Sequence, residues 1–289
     1  MNQPAADLAS GPAIVDSHQH FWDISRFTYP WMPPGPGVLR RTHLPEDLLS
    51  EIRAAGVRQT VVVEALDCAE ETRFLLELAS CHPWIAGVVG WVDLTDPLVG
   101  RSLEKLAVNP KLVGIRHQVE SEPDERWLIR PATLHGLGEL AAFDLPFDFV
   151  VYPRHLKLIS VVADEVPDLR MVLDHLGKPP IASKEMEPWQ SEVNRISQIP
   201  RLMCKISGLV TEADSANPST SALRPYVDHI VREFSSQRIM WGSDWPVCLK
   251  VASYSQVFQQ ARELLGGLGK VEEDAFWGGT ARAFYRLKA

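Results

Sequence analysis

Residues 14–23 read IVDSHQHFWD, a short apolar run that ends in two histidines one residue apart. In a β-strand, residues i and i+2 share one face, so His18 and His20 should point into the same space. Two imidazoles placed in this way can hold a metal ion or move a proton. The pair is a weak signal by itself in a chain with nine histidines, so its meaning depends on the segments around it.

Seven further short apolar runs follow the first one. The eight runs span residues 13–21, 59–65, 85–94, 112–119, 146–153, 170–177, 201–208 and 238–246. Between and after them lie segments with apolar residues three and four positions apart, the spacing of an amphipathic helix. These segments span residues 44–56, 69–82, 101–109, 131–143, 154–166, 185–197, 219–234, 252–266 and 272–287. Alternating strands and helices predict parallel strands with right-handed crossovers, and eight such units predict an α/β fold, a single (β/α)8 TIM barrel.

We assign residues 13–289 to one barrel domain and residues 1–12 to a flexible N-terminal segment. Residues 25–44 carry four prolines and two glycines. A loop of this length is rarely a simple connector in a compact domain. We therefore expect residues 25–44, termed the mouth loop, to cover the open end of the barrel.

The charge balance argues against several classes of partner. Lys and Arg number 29 against 37 Asp and Glu, a formal net charge of −8 at pH 7, so we expect no nucleic-acid partner and no anionic membrane surface. The first residues lack the basic and apolar regions of a secretory signal, and no apolar run reaches transmembrane length. The four cysteines lie far apart and form no CxxC pair, so we expect reduced thiols and a cytoplasmic location.

Ionisable residues lie at the ends of seven of the eight predicted strands. They are His18, His20, Glu64, Arg116, His117, Tyr152, Asp174, His175, Lys205 and Asp244. Each has an ordinary structural explanation, since a buried histidine can bond a backbone carbonyl and an aspartate can cap a turn. The active site of a TIM barrel, however, lies at the carboxyl ends of its strands. Convergence at that one end favours a polar active site over ten independent structural roles.

Several motifs resemble those of a known family. The His-x-His on the first strand, VLDHLGKP at 172–179 and MWGSDWP at 240–246 resemble the amidohydrolase superfamily. More narrowly, DSHQHFWD at 16–23, GIRH at 114–117, DHLGKP and GSDWP resemble its lactonase branch, which includes L-fuconolactone and L-rhamnonolactone hydrolases and a pyrone-dicarboxylate lactonase. The similarity runs from about residue 13 to residue 286.

This resemblance implies a TIM barrel that is distorted as in amidohydrolases. It also implies an enzyme in which an activated water hydrolyses a sugar-acid lactone, its small-molecule partner, to the free aldonic acid. L-Fuconolactone or a related 6-deoxy sugar lactone is the best candidate substrate.

Two departures from the wider superfamily bear on the metal site. Many members bridge two metal ions with a modified lysine on the fourth strand, where this chain has GIRH, and take a histidine from the fifth strand, which ends here in VVYP. The resemblance therefore implies at most one divalent cation, zinc or manganese. Its candidate ligands are His18, His20, His175 and Asp244. Some members of the lactonase branch work without metal, so we treat the cation as optional.

Lactone hydrolysis needs an activated water, stabilisation of the oxyanion and a proton for the departing ring oxygen. Asp244 is the candidate general base. Arg116, His18 and His20 are candidates for stabilising the oxyanion. His175 is a candidate for positioning the water or protonating the leaving group. A sugar ring would stack on tryptophans and bind polar side chains through its hydroxyls. The candidate substrate contacts are Trp22, Trp31, Glu64, His117, Tyr152, Lys205 and Trp245.

Arg116 stands nearly alone among arginines at the predicted strand ends, so a neutral lactone fits better than a dicarboxylated pyrone. Two alternatives stay open. A metal-dependent non-oxidative decarboxylase of the same superfamily also uses a His-x-His strand and a final aspartate. A non-catalytic sugar-binding barrel would bind its ligand without changing it. The sequence leaves the oligomeric state open.

Overall fold

Residues 13–213 and 218–288 are described by the computed structural model of the chain. The expected flexible segment, residues 1–12, lies outside the described residues. The barrel domain expected over 13–289 is therefore described except for residues 214–217 and residue 289.

Eight parallel strands form one sheet, and their order in the sheet is their order in the chain. The strands are β1 (Ile14–Gln19), β2 (Val57–Val63), β3 (Ile85–Gly90), β4 (Leu112–His117), β5 (Phe147–Phe149), β6 (Met171–Leu173), β7 (Leu202–Ile206) and β8 (Ile239–Trp241). The segment after β8 returns to β1 through a parallel bridge between Gln19 and Trp245, beside which the backbone N–H of His20 donates to the Trp245 carbonyl at 2.7 Å. The sheet therefore closes on itself, and the predicted TIM barrel is confirmed.

Helices lie between the strands and after the last one. They are α1 (Pro45–Ala55), α2 (Ala69–Cys81), α3 (Val99–Ala107), α4 (Pro131–Ala142), α5 (Leu156–Glu165), α6 (Trp189–Ile196), α7 (Leu209–Glu212), α8 (Thr220–Phe234), α9 (Tyr254–Leu265), α10 (Lys270–Asp274) and α11 (Thr280–Tyr285). The one-turn helix α7 has no counterpart among the predicted segments. The single final helix predicted over 272–287 is wrong, because a π-helical turn over Ala275–Gly279 separates α10 from α11. Across residues 13–213 and 218–288, no helix is both long enough and apolar enough to cross a lipid bilayer.

The inside of the barrel is filled mainly by valines and is closed at one end by α11. The buried residues of this cluster are Val15, Val61, Val63, Val89, Val113, Val172, Met240, Ala281, Phe284, Tyr285 and Leu287. Arg282 of α11 donates to the carbonyl of Ala13, just before β1, and Arg170, just before β6, donates to the carbonyl of Phe284. The helix therefore covers the amino-terminal ends of the strands, which leaves the carboxyl ends as the open face.

The mouth loop builds a small core of its own above that face. Its buried cluster consists of Trp22, Tyr29, Met32, Leu39 and Ala65. The indole N–H of Trp22 donates to the Arg41 carbonyl at 2.8 Å, which ties the loop to the end of β1. Trp31 and Leu39 line the cavity at the carboxyl ends of the strands, as expected for a segment that covers the mouth.

Candidate active site

β1 and the residue that follows it bring His18 and His20 to one place, although the strand does not alternate regularly. The pairing of β1 with β2 is interrupted between Asp16 and Gln19. Asp16 turns toward α9, where it accepts a hydrogen bond from the hydroxyl of Tyr254 at 3.1 Å. The Nε2 atoms of His18 and His20 lie 3.2 Å apart, so the shared direction predicted from their spacing is confirmed.

Asp244 follows β8 and completes a cluster with these two imidazoles. Its Oδ1 lies 3.3 Å from His20 Nε2 and 3.8 Å from His18 Nε2. Burial raises the pKa of Asp244, but the neighbouring imidazoles, His175 first, lower it by more, so it lies below its usual range. Asp244 is therefore a carboxylate at neutral pH.

A left-handed turn after β6 carries His175 into the site. Residues 175–178 have φ values of 53°, 57°, 70° and 51°. This conformation costs a non-glycine residue about 1–2 kcal/mol and tends to be kept at functional sites. His175 Nδ1 lies 2.9 Å from Ser207 Oγ. Gly208 makes room for the imidazole, because a Cβ at this position would lie 2.5 Å from Nδ1.

Arg116, from β4, supplies a permanent positive charge to the cavity wall. Its Nε lies 2.7 Å from Glu64 Oε1, and its Nη1 lies 3.3 Å from Asp174 Oδ2 and 3.3 Å from His18 Nε2. Burial lowers the pKa of the guanidinium, but Glu64 and Asp174 raise it by more, so it lies above its usual range. Two carboxylates thus fix the orientation of a buried cation that borders the cavity.

Beneath His18 lies a set of fully buried charges that does not reach the cavity. Lys205 Nζ lies 2.6 Å from Asp148 Oδ2, 2.9 Å from Asp174 Oδ1 and 3.1 Å from His18 Nδ1. The hydroxyl of Tyr285, on α11, donates to Asp148 at 2.6 Å. We call Asp148, Asp174, Lys205 and Tyr285 the charged floor, because they hold the histidine from below.

One cavity of about 490 Å³ opens above this cluster. Among the candidate catalytic residues, His20, Arg116, His175 and Asp244 line it. His18 is fully buried behind them, in contact with His20 and Arg116. The structure therefore brings all five candidate catalytic residues together, four on the wall and one behind it.

The candidate substrate contacts divide into two groups. Trp31 and Tyr152 line the cavity as expected. The other five are buried and are absent from the wall, so direct contact with a substrate does not fit their positions. These residues are Trp22, Glu64, His117, Lys205 and Trp245.

Each of these corrections has a packing reason. Trp22 belongs to the mouth-loop core, and Trp245 packs against the Phe21 ring at 5.9 Å between centroids. The carboxylate of Glu64 binds Arg116, and the amine of Lys205 is held in the charged floor. His117 stacks on Trp127 at 3.9 Å, and its Nε2 lies 2.7 Å from Glu122. In each case a neighbour in the fold already occupies the polar or aromatic group.

Several polar residues of the wall have no role in the sequence interpretation. They are Gln118, Glu120, Ser121, Lys178, Thr211, Glu212 and Lys250. Most lie in the loops that follow β4, β6 and β7 rather than at the strand ends, where the topology of the barrel predicts polar residues. Lys178 alone among them belongs to a motif that the sequence shows, DHLGKP.

The donor set of His18, His20 and Asp244 fits a divalent cation. One ligand atom from each lies within 4.8 Å of the others. Burial lowers the pKa of His18 well below its usual value, which favours the neutral ring that a metal needs. His20 Nδ1 contacts the Val63 carbonyl at 2.8 Å and must donate to it, so the neutral ring carries a lone pair on Nε2. A lone pair beside the Asp244 carboxylate is stabilised by a proton or a cation between them.

The chain resembles characterised proteins along almost its whole length. Residues 15–287 match the protein family described as amidohydrolase. An L-fucono-1,5-lactonase of Burkholderia ambifaria is 36% identical over 279 residues, which cover 94% of this chain and 95% of that protein. An L-fucono-1,5-lactonase of Burkholderia multivorans is 36% identical over 288 residues, which cover 96% of this chain and 97% of that protein.

A solved structure also resembles this chain along almost its whole length. The crystal structure of an amidohydrolase from Burkholderia multivorans with bound zinc is 36% identical, with a TM-score of 0.90, and the match covers 95% of this chain and 99% of that chain. The barrel, the His-x-His strand and the aspartate after β8 agree with the family match. This chain is a member of the amidohydrolase family.

Proposed function

We propose that this protein is a lactonase that hydrolyses a neutral sugar lactone to the aldonic acid, with L-fucono-1,5-lactone or a related 6-deoxy lactone as the first candidate. The two relatives named L-fucono-1,5-lactonase support this activity, since each matches this chain over nearly its full length. The observation that carries the proposal is the position of Asp244 on the cavity wall, with Oδ1 3.3 Å from His20 Nε2 and near Arg116 and His175.

In the proposed mechanism, Asp244 accepts a proton from a water molecule that attacks the lactone carbonyl carbon. Asp244 is ionised at neutral pH, so it is free to accept this proton. The carbonyl oxygen gains negative charge, which the Arg116 guanidinium on the cavity wall stabilises. His18 is buried behind the wall and contacts Arg116 there, so His18 and His20 would support this charge through Arg116 or by holding a cation. The bond from the carbonyl carbon to the ring oxygen then breaks. The departing ring oxygen takes up the proton that Asp244 accepted from the water, and His175, whose imidazole interacts electrostatically with Asp244, would relay that proton from the carboxyl group to the oxygen.

We further propose that His18, His20 and Asp244 hold one zinc or manganese ion, with His175 as an additional ligand, and that this ion is not essential for turnover. A bound divalent cation polarises a carbonyl oxygen as a Lewis acid. Arg116 Nη1 lies 3.3 Å from His18 Nε2, so the chain also supplies a positive charge of its own at this point.

The charges of the cavity favour a neutral substrate. Three basic side chains, Arg116, Lys178 and Lys250, line it together with three acidic ones, Glu120, Glu212 and Asp244. Both Arg116 and Lys178 are already paired with carboxylates. A dicarboxylated pyrone, or the aromatic acid that a decarboxylase would bind, therefore meets no excess of positive charge. These observations make the decarboxylase the less supported alternative.

A panel of aldonolactones tests this proposal, with acid release followed by a pH indicator and with parallel assays after treatment with a chelator. We expect acid release from six-carbon and 6-deoxy 1,5-lactones, with activity remaining after chelation. If removal of the metal abolished all activity and the protein released carbon dioxide from aromatic acids, these results would support the decarboxylase. Binding of lactones without acid release would support the non-catalytic barrel.

We place the enzyme in the cytoplasm as part of the same proposal. All four cysteines are free thiols, and Cys204 and Cys248 are buried. Free thiols are typical of a reducing compartment.

A further inference from the structure

The wall of the cavity contains a second charged cluster, separate from the histidines. Lys178 Nζ forms an ion pair with Glu120 and lies 3.9 Å from Glu212 Oε1. We call Glu120, Lys178 and Glu212 the Glu–Lys–Glu cluster. All three side chains line the cavity and are only partly exposed, Lys178 at 15%, Glu120 at 21% and Glu212 at 24%.

Three separate loops bring this cluster together. Glu120 lies in the 3-10 turn after β4, Lys178 ends the left-handed turn after β6, and Glu212 lies in α7 after β7. The ammonium of Lys178 also lies 5.2 Å from the centre of the Tyr152 ring, which follows β5. The loops after four successive strands therefore converge on one ammonium group. The same left-handed turn carries His175, so the position of the cluster is tied to the position of a catalytic candidate.

Burial and neighbouring charges act on Lys178 in opposite directions. Burial lowers the pKa of its ammonium, but Glu120 and Glu212 raise it by more, so Lys178 stays protonated. Two carboxylates share this one ammonium, which leaves acceptor oxygens that a single lysine with three N–H donors cannot all satisfy. A partner with hydroxyl groups would supply the missing donors.

We propose that the Glu–Lys–Glu cluster is the subsite that recognises the ring hydroxyls of the substrate. The inference rests on the proposed function and adds the chemistry of the substrate to it. Each hydroxyl of a polyhydroxylated ring can donate to a glutamate oxygen and accept from the lysine, which a flat apolar ring cannot do. Because the cluster has two acidic groups and one basic group, it also opposes ligands with a carboxylate at this end of the cavity.

Calorimetric titration with a 1,5-anhydrohexitol tests this subsite without depending on turnover. This cyclic polyol has the ring hydroxyls of a 1,5-lactone but no carbonyl group. We expect the wild-type protein to bind it and to show no binding of tetrahydropyran, which has the same ring without hydroxyls. In Glu120→Gln and Lys178→Met, loss of a charge-assisted hydrogen bond should weaken binding of the polyol by about 10- to 100-fold.

Lys157→Met is the matched control, because it removes the same charge from the exposed face of α5. It should bind the polyol as the wild type does. Glu120→Gln keeps the size of the side chain, so it remains informative if Lys178→Met does not fold. Equal affinities in the wild type and the cluster variants, or no binding of the polyol by the wild type, would overturn the inference. A different result would separate the two proposals. If no lactone of the panel releases acid but binding of the polyol still depends on the cluster, the proposed function is rejected and the subsite is kept.

Discussion

Lys205 Nζ lies 2.6 Å from Asp148 Oδ2 inside the barrel, and neither side chain is exposed to solvent. This pair is the centre of the charged floor, and Asp174 and His18 contact it from the side of the active site. A buried ion pair is costly to break, because removal of one partner leaves the other charge without compensation. His18, a candidate catalytic residue, is therefore held in place by buried charges whose removal would destabilise the fold.

Lys205→Met should lower the free energy of unfolding by about 3–5 kcal/mol, because it leaves Asp148 and Asp174 buried without their cation. Urea denaturation followed by circular dichroism measures this change. The double variant Lys205→Met/Asp148→Asn should regain part of the loss, since it removes one uncompensated charge. A single variant with wild-type stability would contradict the role assigned to the pair.

Asp244→Asn should lower kcat on the best lactone by about 10²–10⁴-fold, the usual contribution of a general base. The amide keeps the size of the carboxylate but cannot accept the proton of the water. Steady-state kinetics give kcat, and a thermal unfolding curve close to that of the wild type shows that the fold is intact. A folded variant with undiminished turnover would remove Asp244 from the mechanism.

Gly208→Ala should displace His175 and lower kcat, by about 10²-fold if the ring moves by about 1 Å. The added Cβ would lie 2.5 Å from His175 Nδ1, at a residue whose φ is 65°. Gly56→Ala is the matched control, because Gly56 also has a positive φ, 74°, but its Cβ would meet no atom within 4 Å. Both variants should lose stability, and only Gly208→Ala should lose activity. Equal activity in the two would show that the close approach to His175 has no catalytic consequence.

Stability should fall as the pH rises from about 5 to about 8, in part because of Glu71. Burial, followed by the charge of Glu64, raises the pKa of Glu71 from 4.5 to about 8. Between these two pH values, Glu71 keeps its proton in the folded state and releases it in the unfolded state. The stabilisation from this proton is complete below the pKa of Glu71 in the unfolded chain, and it is lost as the pH rises through the pKa of Glu71 in the folded protein.

Glu71→Gln should reduce this pH dependence, because its side-chain carbonyl can still accept the N–H groups of Ala65 and Leu66 but does not titrate. The measurement is the free energy of unfolding in urea at about pH 5.5 and about pH 8.5 for both proteins. The difference between the two pH values should be smaller in Glu71→Gln. An unchanged difference would assign the dependence to other groups.

A protein stripped of metal should bind one zinc or manganese ion per chain, measured by calorimetry and by metal analysis after dialysis. His20→Asn should lose this binding, because it removes one of the three converging ligand atoms. His82→Asn is a control on a histidine outside the cluster, at the end of α2. Wild-type protein that binds no ion would reject the proposed metal site.

The sequence predicts the barrel well because each strand is a separate apolar run and each crossover carries helical periodicity. It also predicts that the five catalytic candidates converge, because each lies at or just after a strand end, where the topology of the fold decides the position. The buried positions of Trp22 and Trp245 could not be predicted in this way. Which side of a loop packs inward depends on tertiary contacts, such as those between Trp22 and the mouth-loop core.

The Glu–Lys–Glu cluster is not predicted for a related reason. Glu120 and Glu212 lie in a 3-10 turn and a one-turn helix, elements that are too short to have a periodic pattern. The left-handed turn at 175–178 is also hidden, because only one of its four residues is a glycine. Strained backbone of this kind is imposed by tertiary contacts, and local sequence preferences oppose it.

The hydroxyl of Tyr285 connects the last helix to the charged floor. Tyr285 is synthesised only after all eight strands. Asp148 therefore gains its hydroxyl donor, and α11 covers the valine interior, only when the last helix has been made. A chain that ends before α11 would retain all five candidate catalytic residues but would lack the hydroxyl donor to Asp148 and the cover over the amino-terminal ends of the strands.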